Sequence, residues 1–184
     1  NTNDWPFMAA GKYSKKQSDF PAYFDTAGEN PRGAHAIRVL DGKKDFSIDA
    51  LIAAGFDTAQ PEFDVQIPLL LKAWDQAPAS NPLKAKLAEP IAALKAWDRR
   101  WAADSVATTV AIHWAEELWR AVGADPKGRA WPLFEKVASS STSEQRLQAL
   151  LAATEKLQQD FGHWRTPWGE VSRLQRRTGD IVQR

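Results

Sequence analysis

The polar groups best arranged for chemistry stand together in Asn1-Thr2-Asn3-Asp4-Trp5-Pro6. Side-chain amides and carboxylates gathered just ahead of a proline mark a loop that holds polar groups rigidly, because proline restricts itself and the residue before it. Other chemistry is thinner. The three His, at 35, 113 and 163, share no metal-ligand spacing. His113-Trp114-Ala115-Glu116-Glu117 lacks the second His of the zinc-protease pattern His-Glu-x-x-His, so His113 reads as a packed or half-exposed helix residue. No cysteine is present, which excludes disulfides, thiol nucleophiles and thiolate metal sites. There is no Gly-rich phosphate loop and no Gly-x-Ser-x-Gly elbow, and the carboxylates fall into no paired pattern. A chain that opens directly on such a loop is expected to be one part of a larger protein, with the other reacting groups elsewhere.

The elements that must position this loop are mostly helices. Residues 1–29 read as irregular, with Gly11, Pro21 and Gly28 between polar clusters. A structureless stretch of that length is uncommon and tends to be functional. Asn30-Pro31 is a helix start, a capping side chain followed by proline at the first helical position, and the helix runs through Ala34, Ile37 and Leu40 to a turn at Asp41-Gly42. Ser47 caps a short helix ending at Gly55. A helix over 62–74 is expected to kink or break at Pro68, and a long one over 83–101 to bend at Pro90, with residues 78–82 as connector. The next helix starts at Asp104 or Ser105 and ends at Gly123, with Val106, Val110, Trp114 and Leu118 on one face.

Residues 123–143 read as a flexible connector, and Ser141 with Glu144 matches a capping box. The last helix carries Leu147, Leu150, Leu151, Thr154, Leu157 and Phe161 and stops at Gly162; the tail, residues 164–182, reads as extended or irregular. Leu71-Lys72-Ala73-Trp74-Asp75 and Leu94-Lys95-Ala96-Trp97-Asp98 echo each other, each expected to close a helix with a buried Trp. The chain is therefore mainly α: a loop region 1–29, a helical region 30–122, a connector 123–143 and a helix plus tail 144–184, forming one structural unit.

Composition narrows the partners. The 24 basic and 23 acidic residues are interspersed, against the concentrated basic face that nucleic acid needs. Arg173, Arg176, Arg177 and Arg184 form the densest basic patch, which suits a salted surface or an interface. No apolar run approaches the roughly 18 residues that span a bilayer. Nine Trp against two Tyr, spread through the expected helices, point to core packing over a sugar- or base-stacking face.

Asn1-Thr2-Asn3-Asp4-Trp5-Pro6 resembles the Asn-x-Asn-[Asn/Asp]-x-Pro motif of the penicillin acylase family of N-terminal-nucleophile amidohydrolases. The likeness continues at Pro31-Arg32-Gly33-Ala34-His35-Ala36-Ile37-Arg38, at residues 70–75 and at Ala96-Trp97-Asp98, and returns at His163-Trp164-Arg165-Thr166-Pro167-Trp168-Gly169-Glu170-Val171-Ser172-Arg173-Leu174-Gln175. Motif order and spacing cover nearly the whole chain, and the acyl-homoserine lactone acylase branch is the most similar.

In such enzymes a precursor cleaves itself into α and β chains, and the new N-terminal Ser of the β chain attacks with its own α-amine as base. Residue 1 here is Asn, so the resemblance makes this chain an internal piece of the β chain. It implies a four-layer αββα sandwich completed by the α chain and the rest of the β chain. Asn3 matches the asparagine that donates to the oxyanion. Arg32 matches an arginine that orients groups at the nucleophile and stabilises developing charge. Trp5 and Phe7 would border the acyl pocket, with packing as the favoured alternative role. On the residues alone, Asn3 is a turn residue and Arg32 a surface arginine of a helix.

No cofactor is required, although some members bind calcium near the site. The substrate would be an N-acyl compound such as an acyl-homoserine lactone or a β-lactam, which connects the enzyme to quorum quenching or antibiotic resistance. The place would be the bacterial periplasm or outside the cell. The rival reading is a non-catalytic helical interaction module; a carbohydrate-binding surface is a third.

Overall fold

The computed structural model describes residues 14–24, 30–123 and 131–173. After a 3₁₀ turn at Gln17–Asp19 come α1 (Pro31–Leu40), α2 (Ile48–Gly55), α3 (Phe63–Gln76), α4 (Leu83–Ala96), α5 (Val106–Ala121), α6 (Trp131–Ser140), α7 (Ser143–Phe161) and α8 (Trp168–Val171). The described residues hold no strand, only an isolated antiparallel bridge between Ala59 and Arg100. The mainly-α expectation therefore holds for them.

Four helices build the core. Phe63, Ile67 and Leu70 of α3, Leu83, Leu87, Ile91 and Leu94 of α4, Val110, Trp114 and Leu118 of α5, and Leu147, Leu150 and Leu157 of α7 recur at three- and four-residue spacing and are all buried. That periodicity puts one stripe per helix against the others and removes it from water. The most extensive contact is α5 on α7. Trp114 lies at its centre, and its Nε1 donates to Arg146 O at 3.0 Å, so even this large side chain leaves no polar atom unmet.

Local chemistry sets most boundaries. The side chains of Asn30, Ser47 and Ser105 accept from the backbone N–H three residues on, at 3.0, 3.1 and 3.1 Å. Gly123 and Gly162 follow α5 and α7 at φ +67° and +83°, a conformation open to glycine. Pro68 and Pro90 interrupt neither helix. The N–H that each lacks would have met the carbonyl of Asp64 or Lys86, and both of those residues are exposed to water.

Five expectations need correction. The helix over 83–101 stops at Ala96, because Trp97 Nε1 reaches Arg100 O at 2.8 Å and Asp98 Oδ1 accepts from Arg100 N at 2.9 Å, winding residues 97–100 into a turn. The capping box uses Thr142 and Gln145, one residue later than Ser141 and Glu144; Ser141 is buried instead. The span expected as a flexible connector contains α6, which packs Val137 into the core. The echoed Trp74 and Trp97 are half-buried, Trp74 beneath the Lys84 ammonium (4.5 Å) and Trp97 edge-on to Phe63 (5.3 Å).

The tail expected to be extended or irregular is the fifth correction: it holds α8 (Trp168–Val171) and is tied down as far as residue 172. Thr166 is fully buried with its hydroxyl on His163 O at 2.7 Å, and Arg165 pairs with Glu89 of α4 at 2.8 Å. Trp168 N donates to Ser105 O and Gly169 N to Ala103 O, at 3.1 and 2.7 Å. This motif, the longest of those that resemble the acylases, thus ties the start of α8 to the residues leading into α5.

Candidate functional site

Arg32 occupies the second position of α1, directly after Pro31, and its side chain is exposed. The first turn of α1 contains no acidic residue. A cation at a helix N-terminus opposes the macrodipole, a cost of roughly 0.3–1 kcal/mol at an exposed site. Arg32 and the positive end of the α1 dipole put positive potential in one place, which favours a negative group there.

Beside Arg32 opens a cavity of about 680 Å³, within the size range of small-molecule sites. Asn30, Pro31 and Arg32 line it from α1, Gln60, Glu62 and Phe63 from the approach to α3, Ile112, Ala115, Glu116, Trp119 and Arg120 from α5, and Phe134 from α6. Trp119 and Phe134 meet edge to face at 5.0 Å and form an apolar wall. The rim is charged. Arg120 is held by Glu117 and lies 3.9 Å from Glu116.

Three polar groups in the wall stand out. Gln60 Oε1 and Trp119 Nε1 are buried without a hydrogen-bond partner among the described residues. Such atoms are uncommon in native structures and each is costly. Burial pushes the Glu62 carboxyl above the usual glutamate value, with its own backbone N–H and His35 opposing that shift and Asp64 adding to it. The cavity therefore combines an apolar wall, a desolvated acid, one unmet acceptor, one unmet donor and a mouth of mixed charge, with Arg32 and Arg120 beside Glu62 and Glu116. Such a surface suits an apolar group that carries a polar end.

What fixes α1 beside this cavity was not read from the sequence. His35 Nε2 donates to Asp57 Oδ1 at 2.8 Å, and Arg100 Nη1 to Asp57 Oδ2 at 3.0 Å. Three residues on, Arg38 and Arg99 both reach Asp64 at 2.9 Å. Each carboxylate thus joins a cation or imidazole of α1 to an arginine of the turn after α4. Hydrogen bonds from Ala59 N–H and His35, and then the guanidinium of Arg100, hold the Asp57 carboxyl far below the usual aspartate range against the opposing effect of burial. The available sequence signals were Asp57 and Asp98, each two residues before the N–H it accepts, and the adjacent Arg99 and Arg100.

Of the sequence-predicted site residues, Arg32 is placed on the cavity. Asn3, Trp5 and Phe7 lie outside the described residues. Among the described residues no three His, Asp or Glu side chains converge to hold a metal ion. His113 is half-buried with Nδ1 on Thr109 O at 2.9 Å, a packed helix histidine. No described helix is long and apolar enough to cross a membrane. A family model described as Penicillin amidase matches residues 1–182. No curated protein matches the chain.

Proposed function

This chain belongs to the penicillin amidase family, and from that premise we propose that it is the part of an acylase that stabilises charge during cleavage of an N-acyl amide. The carrying observation is the match over residues 1–182, which takes in both the Asn3 loop and Arg32. In the proposed reaction a serine outside this chain adds to the amide carbonyl, and its hydroxyl proton passes to the serine's own α-amine. The carbonyl oxygen becomes an oxyanion. Asn3 donates one N–H to it, a neutral donor that carries no titrating proton. The C–N bond then breaks, and the amine departs with the proton. Water repeats the addition on the acyl-enzyme and releases the acid.

Arg32 contributes positive potential and orientation in this reading. Support comes from its position at the N-terminus of α1, where the helix dipole adds to its charge. Residues 1–29 would form the oxyanion-site loop, with Trp5 bordering the acyl group. The steps need no cofactor and route nothing through a metal. The rest of the αββα sandwich, the nucleophile and most of the acyl pocket would come from other chains of the same precursor. The unpacked apolar face of α2 supports such neighbours. We place the enzyme in the bacterial periplasm or outside the cell, a setting that the absence of cysteine suits.

N-acyl-homoserine lactones and penicillins are the substrates this reading favours. Incubating the intact enzyme with each series, and following the released amine and acid by mass spectrometry, tests it. Amide cleavage in at least one series supports the proposal. No cleavage in either, from enzyme whose α and β chains have separated, overturns it.

A further inference from the structure

Helix α1 carries Arg32 yet buries only Gly33. Ala34, Ile37 and Val39 are only half-buried, so the packed apolar face that normally sets the rotation of a helix about its axis is shallow here. Polar contacts add to it. His35 lies one turn after Arg32, and its imidazole and the Asp57 carboxylate are each about three-quarters buried, at 22% and 23% side-chain exposure. The companion pair, Arg38 with Asp64, is 53% and 40% exposed and is correspondingly better screened by solvent.

Asp57 is in turn anchored to the core. Its Oδ1 also accepts from Ala59 N at 3.0 Å, and its Oδ2 from Arg100. The Arg100 carbonyl takes Trp97 Nε1 at 2.8 Å and the fully buried Thr108 hydroxyl at 3.2 Å. Gln60 N donates to Arg99 O and Trp101 N to Thr58 O, at 2.9 and 3.0 Å, so the loop around 58–60 and the turn around 99–101 form one piece. Within that turn Arg99 takes φ +61°, a left-handed conformation that costs a side-chain-bearing residue roughly 1–3 kcal/mol. The conformation sets Arg99 on Asp64 and Arg100 on Asp57. Strain of this kind persists where surrounding structure demands it.

The geometry points to Asp57 as a positioning residue for Arg32, acting through His35 to fix how α1 presents the guanidinium to the reacting centre. This inference rests on the acylase reading above, and its failure can be told from the failure of that reading. None of Thr108, Arg100, Asp57 and His35 lines the cavity beside Arg32. The connection runs from the buried Thr108 through Arg100, Asp57 and His35 to the first turn of α1.

The test is a double-mutant cycle in the intact enzyme, measured on whichever N-acyl-homoserine lactone or penicillin the wild type cleaves best. Asp57→Asn and His35→Ala should each lower kcat about ten- to a hundredfold while KM stays within about twofold, the usual cost of displacing a group by about 1 Å. His35→Gln, which keeps a donor toward Asp57, should restore most of the rate. In an Arg32→Ala background Asp57→Asn should cost nothing further, because the two residues act as one unit. A merely structural Asp57 gives losses that multiply on Arg32→Ala, and that result overturns the inference, as does an unchanged kcat in Asp57→Asn. A wild-type kcat in Arg32→Ala instead removes the role of Arg32, and the inference falls with it. If Asp57→Asn does not fold, the cycle between His35→Ala and Arg32→Ala decides by the same criterion.

Discussion

Gly169 N–H donates to Ala103 O at 2.7 Å, and a Cβ built at Gly169 would lie 3.0 Å from that same oxygen. The obstruction is backbone, which yields less readily than the tip of a side chain. Gly169→Ala should therefore push the start of α8 away from the residues leading into α5 and cost about 1–3 kcal/mol, the usual range for overpacking. Urea denaturation of the intact enzyme checks this. An unchanged midpoint would mean that the contact tolerates a methyl group.

Asp57 gives the protein an acid-sensitive joint. Its folded carboxyl titrates well below the ordinary value because Ala59 N–H, His35 and Arg100 all favour the charged form. A depressed folded pKa contributes stability that is present above the unfolded aspartate value of about 3.9 and is lost as pH falls through the folded one. Stability measured from about pH 5 downward should fall in wild type. Asp57→Asn should start less stable and fall less steeply over the same range. Parallel curves for the two proteins would remove Asp57 from the acid response.

The parts of this fold that are decided locally were legible in the sequence. Asn30, Ser47, Gly123 and Gly162 cap or stop helices through contacts within a few residues, so their types alone announce them. The end of α4 was not legible. Leu94-Lys95-Ala96-Trp97 is compatible with helix, and what stops it is a bond from Trp97 Nε1 to a carbonyl that the turn itself brings into reach. Helix α6 was hidden because Pro126, Gly128 and Pro132 read as breakers, although Pro132 falls in its first turn, where a missing N–H costs nothing. At the site, Arg32 was named only through the family motif. The junction of His35 with Asp57 spans 22 residues and that of Arg100 with Asp57 spans 43, distances over which no periodicity carries information.

Asn3 carries the largest single effect expected of this chain. If its amide is one of the donors to the oxyanion, Asn3→Ala removes a contact that strengthens as charge develops, so kcat falls while KM is little affected. The expected loss is about a hundred- to a thousandfold, as for other single oxyanion donors. Asn3→Asp should be as damaging or worse, since it places an acceptor and a negative charge where a donor is needed. Steady-state kinetics of the intact enzyme, with circular dichroism to verify folding, measures both. Full activity in Asn3→Ala would end the oxyanion assignment.

Helix α2 buries none of its residues, and Ile48, Leu51 and Ile52 share one side of it at 80%, 55% and 54% exposure, with Phe56 at 80% just beyond. Side chains three and four apart lie on one helix face, so these are a contiguous apolar patch and not scattered exceptions. An apolar patch facing water drives association. Expressed without its neighbours, the 184-residue chain should therefore self-associate as concentration rises. Ile52→Lys with Phe56→Lys should reduce that association while shifting stability by no more than about 0.5 kcal/mol per site, because both side chains are more than half exposed. Light scattering coupled to gel filtration reads the first effect and urea denaturation the second. Unchanged association with both lysines in place would show that another surface is responsible.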